Sequence, residues 1–165
     1  MGKRGQISRL SPTGFILTAF AILTALPLWA GECRDDQVLL RGDWGQARFS
    51  VEVADDAASR AQGLMHVETM PRASGMLFVY PFARQVGFWM KNTLIPLDMV
   101  FLDETGTVVK VHQNAVPHDE RPIMGGDNIL VVLEINGGLA GQLGIVEGSQ
   151  MRHPAFDVAN AAWPC

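Results

Sequence analysis

The chain has 165 residues, 48% hydrophobic and 18% charged, with 13 Lys and Arg against 17 Asp and Glu. A formal charge of −4, with the cations scattered among carboxylates, argues against nucleic-acid binding, where counterion release needs clustered Lys and Arg. The length suits one domain with its own core and is short for two.

At the N-terminus Lys3, Arg4 and Arg9 precede an apolar stretch from Phe15 to Leu26, followed by Pro27 and Leu28-Trp29-Ala30. Positive, apolar and small-residue regions in that order form the layout of a cleavable secretion signal. At 12 residues the apolar stretch falls short of the roughly 18 to 20 that cross a bilayer core as a helix. Cys33 invites a lipid-anchor reading, but Glu32 stands before it, where such signals carry a small residue. Residues 1–30 are therefore expected to be a cleaved signal. Residues 31–165 form a periplasmic or secreted product with no membrane span. That product keeps 10 positive against 17 negative groups, a formal charge of −7. Cys33 and Cys165 lie near its two ends, and export exposes them to an oxidising compartment, so a disulfide between them is expected. A redox or metal site would want a Cys-x-x-Cys spacing or neighbouring His, and neither is present.

In the mature segment Ala47, Phe49, Val51 and Val53 alternate with Arg48, Ser50 and Glu52, the period of a half-buried strand. A short helix follows, with Asp55 as its cap, Ala57 to Gln62 as its body and Gly63 as its stop. Met76 to Tyr80 and Val86 to Met90 read as two short strands divided at Pro81. Leu97 to Leu102 is apolar on both faces apart from Asp98, which predicts a central strand. Asp103-Glu104-Thr105-Gly106 turns it back into a hairpin partner, Thr107 to His112. A loop rich in Pro, His and Gly is expected from Asn114 to Asn128, then a buried strand from Ile129 to Ile135. Gly137 to Leu143 suggests one or two helical turns, and Glu147-Gly148 a last turn before a short strand near Met151. The tail after His153 is expected to wrap the surface as far as Cys165. The predicted fold is α+β, a mostly antiparallel sheet curled into a sandwich or partial barrel with one or two short helices.

Catalytic motifs are missing. There is no Gly-x-Ser-x-Gly elbow, phosphate-binding loop, His-Glu-x-x-His helix or dinucleotide fingerprint, and His66, His112, His118 and His153 show no ligand spacing. No cofactor or metal is expected. The segment from Phe88-Trp89-Met90-Lys91-Asn92-Thr93 to Pro96-Leu97-Asp98 stands out, together with Arg60-Ala61-Gln62-Gly63-Leu64-Met65, Gly75-Met76-Leu77-Phe78 and Val132-Leu133-Glu134. Over roughly residues 47 to 152 these runs resemble the uncharacterised bacterial and archaeal family known as domain of unknown function 192. The resemblance implies a compact β-rich fold and no established activity. Members often carry an aromatic residue and Arg after Gly-Leu-Met, where this chain has His66-Val67.

Asp98 and Glu134 interrupt strands that should otherwise be buried, and buried carboxylates need partners or altered pKa values. Arg60, Lys91 and Asn92 are the available donors. One reading is a structural network that fixes strand register. The other is a ligand site floored by Trp89 and Met90, with Lys91, Asn92 and Asp98 at its rim and Arg60 and Glu134 contributing. Trp89, Lys91, Asn92 and Asp98 are then expected around one concavity. The functional expectation is a non-enzymatic exported domain that binds a small ligand or an envelope protein. One alternative is a hydrolase-like enzyme using Asp98 and Glu134 as an acid/base pair. Another is a Cu(I)-binding protein, because Met65, Met70, Met76, Met90 and Met99 crowd one third of the chain.

Overall fold

The computed structural model describes residues 1–2 and 33–165. The expected signal segment, beyond Met1 and Gly2, lies outside the described residues. The chain divides into two units, Met1–Gly31 and Glu32–Cys165, and every element below belongs to the second.

Strands β1 (Gln37–Gly42) and β2 (Gly45–Ala54) form a hairpin. β1 is not anticipated by the sequence reading, although Val38 and Leu40 are fully buried between more exposed neighbours. Helix α1 (Ala57–Gln62) starts at Asp56, not Asp55: the Asp56 carboxylate accepts from the Ala58 and Ser59 N–H groups at 2.7 and 3.0 Å, and the Ser59 hydroxyl reaches back. This reciprocal cap satisfies the first amides of a helix that buries no side chain of its own. Gly63, at φ 50°, ends it.

β3 (Ser74–Phe88) is one long strand where two were expected. Pro81 lacks an N–H, but the chain shifts register between Val79 and Arg84 and continues. The hairpin of β4 (Leu97–Leu102) and β5 (Val108–Ala115) turns at Asp103, whose carboxylate accepts from the Thr105 and Thr107 amides. β6 (Ile123–Asn136) begins six residues before the predicted strand. Its first half pairs with the far half of β3, and Gly125 permits this because a Cβ there would stand 2.2 Å from the Phe101 ring. Helix α2 (Leu139–Leu143) and strand β7 (Gln150–Arg152) complete the chain of elements.

The strands form one seven-stranded mixed sheet in the order β5-β4-β6-β3-β2-β1-β7, in which only β2 and β3 run parallel. It curls into a partial barrel. Its two edges meet where Thr107 bridges to Gln150 and the Val108 N–H donates to the Ser149 carbonyl at 2.8 Å. Both faces of the middle strands are covered. One face carries Val38, Leu40, Phe49, Leu77, Val100, Leu133 and Ile135, with Leu139 and Ala140 of α2. The other carries Met76, Phe78, Met90, Met99, Phe101 and Val132. Every residue of β4 is consequently buried, as its two-sided apolar sequence predicts. Among the described residues no helix is long and apolar enough to cross a membrane.

The tail after β7 is tied down. The His153 ring bridges the Asp35 carbonyl and the Ala155 amide, the Ala162 N–H donates to Thr105, and Arg41 stacks 4.4 Å from the Trp163 ring. Cys33 and Cys165 are joined as a disulfide with Cα atoms 5.7 Å apart, across a separation of 132 residues. Constraining so long a loop should stabilise the fold by about 4 to 5 kcal/mol in the chain-entropy model. Urea titrations with and without reductant, or of Cys33→Ser/Cys165→Ser, should show a loss of that order. A loss below about 1 kcal/mol would mean that tail packing alone fixes the termini.

Candidate functional site

The two unusual carboxylates have separate fates. Asp98 is fully buried, and its oxygens accept from three backbone amides: Asn114 and Gly138 at 2.8 Å each, and Ala140 at 2.7 Å. Gly138 is the N-cap of α2 and offers no side chain, so Asp98 supplies the missing cap from β4. Its bonds are those of a structural tie between β4, the end of β5 and the start of α2.

Register keeps Glu134 away from it. Across β4 and β6, Asp98 pairs with Ile135 and Glu134 with Met99. Directly paired residues share a face and sequence neighbours alternate, so the two carboxyls project from opposite sides of the sheet. The acid/base pair of the hydrolase-like alternative is therefore not assembled. Nor does Asp98 join Trp89, Lys91 and Asn92 around one concavity, because it lies on the face that packs against α2.

Glu134 stands on the Met76–Met99 face, only 4% exposed, and makes no hydrogen bond or ion pair with any described residue. It opens onto a cleft of about 170 Å³ walled by Phe78, Tyr80, Phe88 and Trp89, with Arg60 and Thr93 also on its lining. Burial pushes the Glu134 carboxyl up to about 8, and no cation offsets this. Burial also raises the Tyr80 phenol; Arg60 and Arg84 oppose that rise and Glu134 adds to it.

Each wall is fixed by its own chemistry. Arg60, in the last turn of α1, donates from Nη1 to the Asp55 and Val79 carbonyls and lies 5.2 Å from the centre of the Tyr80 ring. Trp89 is half exposed, with the Lys91 ammonium 5.1 Å from its ring centre. Met90 is fully buried. Its N–H donates to Asp119, and its carbonyl accepts from Thr93 and His118. Asn92, at φ 53°, turns the chain, and its carbonyl accepts from His66. Met76, Met90 and Met99 sit in one apolar cluster of the core, with Met70 packed against it, surroundings in which methionine commonly serves as a packing residue.

Of the residues singled out in the sequence, Arg60, Trp89 and Glu134 line this cleft, and Met90, Lys91 and Asn92 belong to the segment that forms one wall. Tyr80, Phe78, Phe88 and Thr93 were not foreseen as site residues. Phe78, Phe88 and Thr93 lie within the family-like runs, and Tyr80 is the only tyrosine in the chain. Leu64 and Met65 join the cleft to a wider groove of about 600 Å³ that also borders Glu52, Met70 and Ser74. A surface depression of about 580 Å³ between Arg41–Trp44 and Gly144–Gln150 holds no buried titratable group.

A curled seven-stranded mixed sheet with two short helices makes the chain an α+β partial barrel. The chain belongs to the DUF192 family, described as an uncharacterized ACR, whose model matches residues 39–153. It is similar to a protein of unknown function from Novosphingobium aromaticivorans DSM 12444, at 40% identity and TM-score 0.69, over 70% of this chain and 82% of that one. It is also similar to a protein from Sinorhizobium meliloti 1021 described as a candidate transcription regulator, at 38% identity and TM-score 0.71, over 76% of this chain and all of that one. No curated protein matches the chain.

Two measurements test these assignments. Asp98→Ala strands three amide donors and should cost about 3 to 5 kcal/mol in urea unfolding, and a cost under about 1 kcal/mol would refute the tie. For Glu134 the folded pKa, about 8, lies above the ordinary value of 4.5, so the folded state holds the extra proton between those limits. Stability should therefore be fullest below pH 4.5 and fall on the order of 5 kcal/mol as pH rises through 8. Glu134→Gln should flatten that slope in thermal melts and be the more stable protein at pH 8. Parallel curves for the two proteins would show that the carboxyl is not held neutral.

Proposed function

We propose that this chain is an exported, non-enzymatic binding protein whose small ligand seats in the Glu134 cleft. One observation carries the reading: Glu134 is buried, without a protein partner, at the base of an aromatic cleft. An unpaired buried carboxyl costs stability, and such a cost is characteristic of sites kept for recognition. The size of the cleft bounds the ligand. Sites for drug-sized molecules run from about 300 to 1,000 Å³, whereas a cavity of about 150 Å³ admits benzene, so about 170 Å³ suits a group of roughly one ring. Export is supported by the charged, apolar and small-residue order of residues 1–30 and by the Cys33–Cys165 disulfide. The Sinorhizobium protein is described as a candidate transcription regulator, and a DNA-binding form of that role would find no clustered cations in this chain.

Native mass spectrometry of the protein recovered from the cell envelope tests both halves. The chain should begin near Gly31 and carry a small-molecule adduct, or gain thermal stability when envelope extract is added. Glu134→Leu should fold and lose the adduct and the shift. An intact N-terminus in the membrane fraction would overturn export. Ligand-free wild type with no extract-dependent shift would overturn the binding role.

A further inference from the structure

Resting on the cleft as a binding site, we infer that its ligand is a small carboxylate, taken head-first between Glu134 and Arg60 with its apolar body against Trp89 and Tyr80. The choice among ligand classes follows from what each wall already does. Aromatic faces attract cations, but here both are served from within: Arg60 covers Tyr80 at 5.2 Å and Lys91 covers Trp89 at 5.1 Å. An ammonium ligand would meet those like charges at the mouth. An anion meets the opposite situation. Arg60 uses Nη1 on the Asp55 and Val79 carbonyls, while Nε and Nη2 make no hydrogen bond with any described residue. Those two groups form the planar fork that matches a carboxylate side-on.

Glu134 completes the match. Pushed up to about 8, it carries a proton at neutral pH and offers one O–H donor to a ligand oxygen, where an ionised carboxylate would only repel. The groups that face it are few. Arg60 of α1 and Tyr80 of β3 line the same cleft, with Arg84 acting on Tyr80; the residues paired with Glu134 on β3 and β4 are Met76 and Met99, which do not titrate. Burial holds the Tyr80 phenol above its ordinary value, so it keeps its proton near neutrality. Among the described residues that line the cleft, Glu134 is thus the group whose loss of a proton changes the charge near neutrality, and carboxylate binding should weaken as that proton leaves.

Two sources supply such a carboxylate: a free acid, and the C-terminus of a short peptide, whose backbone the adjoining groove of about 600 Å³ would hold. Titrations followed by amide chemical shifts of residues 60–65 and 88–93 separate these sources, using benzoate, benzylamine, benzyl alcohol, Gly-Gly-Phe and its C-terminal amide as probes. Benzoate should bind at pH 6 at least tenfold more tightly than benzylamine or benzyl alcohol, and at least tenfold more weakly at pH 9. Glu134→Gln keeps a neutral donor, so its benzoate affinity should vary less than threefold across that range. Arg60→Gln should remove the preference for the acid. A tripeptide that binds more tightly than both benzoate and its own amide would identify a chain terminus as the source. Binding of benzylamine or benzyl alcohol in preference to benzoate would overturn the carboxylate assignment while leaving a ligand cleft in place. No binding by any probe would overturn the assignment, and the envelope-extract experiment would decide the cleft separately.

Discussion

Three backbone amides converge on the Asp98 carboxylate, and much of the architecture follows from that contact. The amides come from the left-handed turn at Asn114, from the left-handed Gly138 and from the first turn of α2, three places where regular pairing ends. An apolar residue at position 98 would leave those donors dry and unpaired, and the chain after β6 would have no reason to fold back across the sheet. With the turn held, Leu139 and Ala140 cover one face of β4, and the strand becomes central on both sides. A charged group thus makes possible a strand that is otherwise apolar throughout.

The same contact settles the parity of the neighbouring strand. Once Asp98 faces α2, pairing with Ile135 sends Glu134 to the other side, beneath Phe78, Phe88 and Trp89. The two carboxyls then obey different physics. Asp98 meets three amide donors, whereas Glu134 meets methionines and aromatic edges, and burial there favours keeping its proton. One carboxylate organises the backbone, and the other remains available at the base of a cleft. The long ribbon formed by the far halves of β3 and β6 matters here as well, because it carries Phe88 and leads directly into the Trp89 wall.

Local pattern was enough to find much of this in the sequence. The alternation of Ala47 to Val53, the two-sided burial of Leu97 to Leu102, the Asp103–Gly106 turn and the stop at Gly63 each depend on neighbours within a few residues. The misreadings share a different cause. Pro81 looks like a strand end because a missing N–H usually ends pairing, but a register shift absorbed it. Ile123 to Asn128 looks like a loop because Gly125 and Gly126 are poor strand formers, yet Gly125 is needed for the close approach of Phe101. Val38 and Leu40 alternate over too short a span to stand out. In the site, Asp98 and Glu134 were recognisable as carboxyls in the wrong surroundings. That they lie on opposite faces depends on the β4–β6 register, a non-local quantity that no window of sequence contains.

The covalent link at the two ends changes how the domain can come apart. From Cys33 to Cys165 the backbone is a closed ring, with the 105, 41 and 162–163 contacts lying just inside the closure. Neither β1 nor the tail has a loose tip inside that ring. Local opening on either side must therefore form a loop held at both ends, where an untied edge strand would fray residue by residue from its tip.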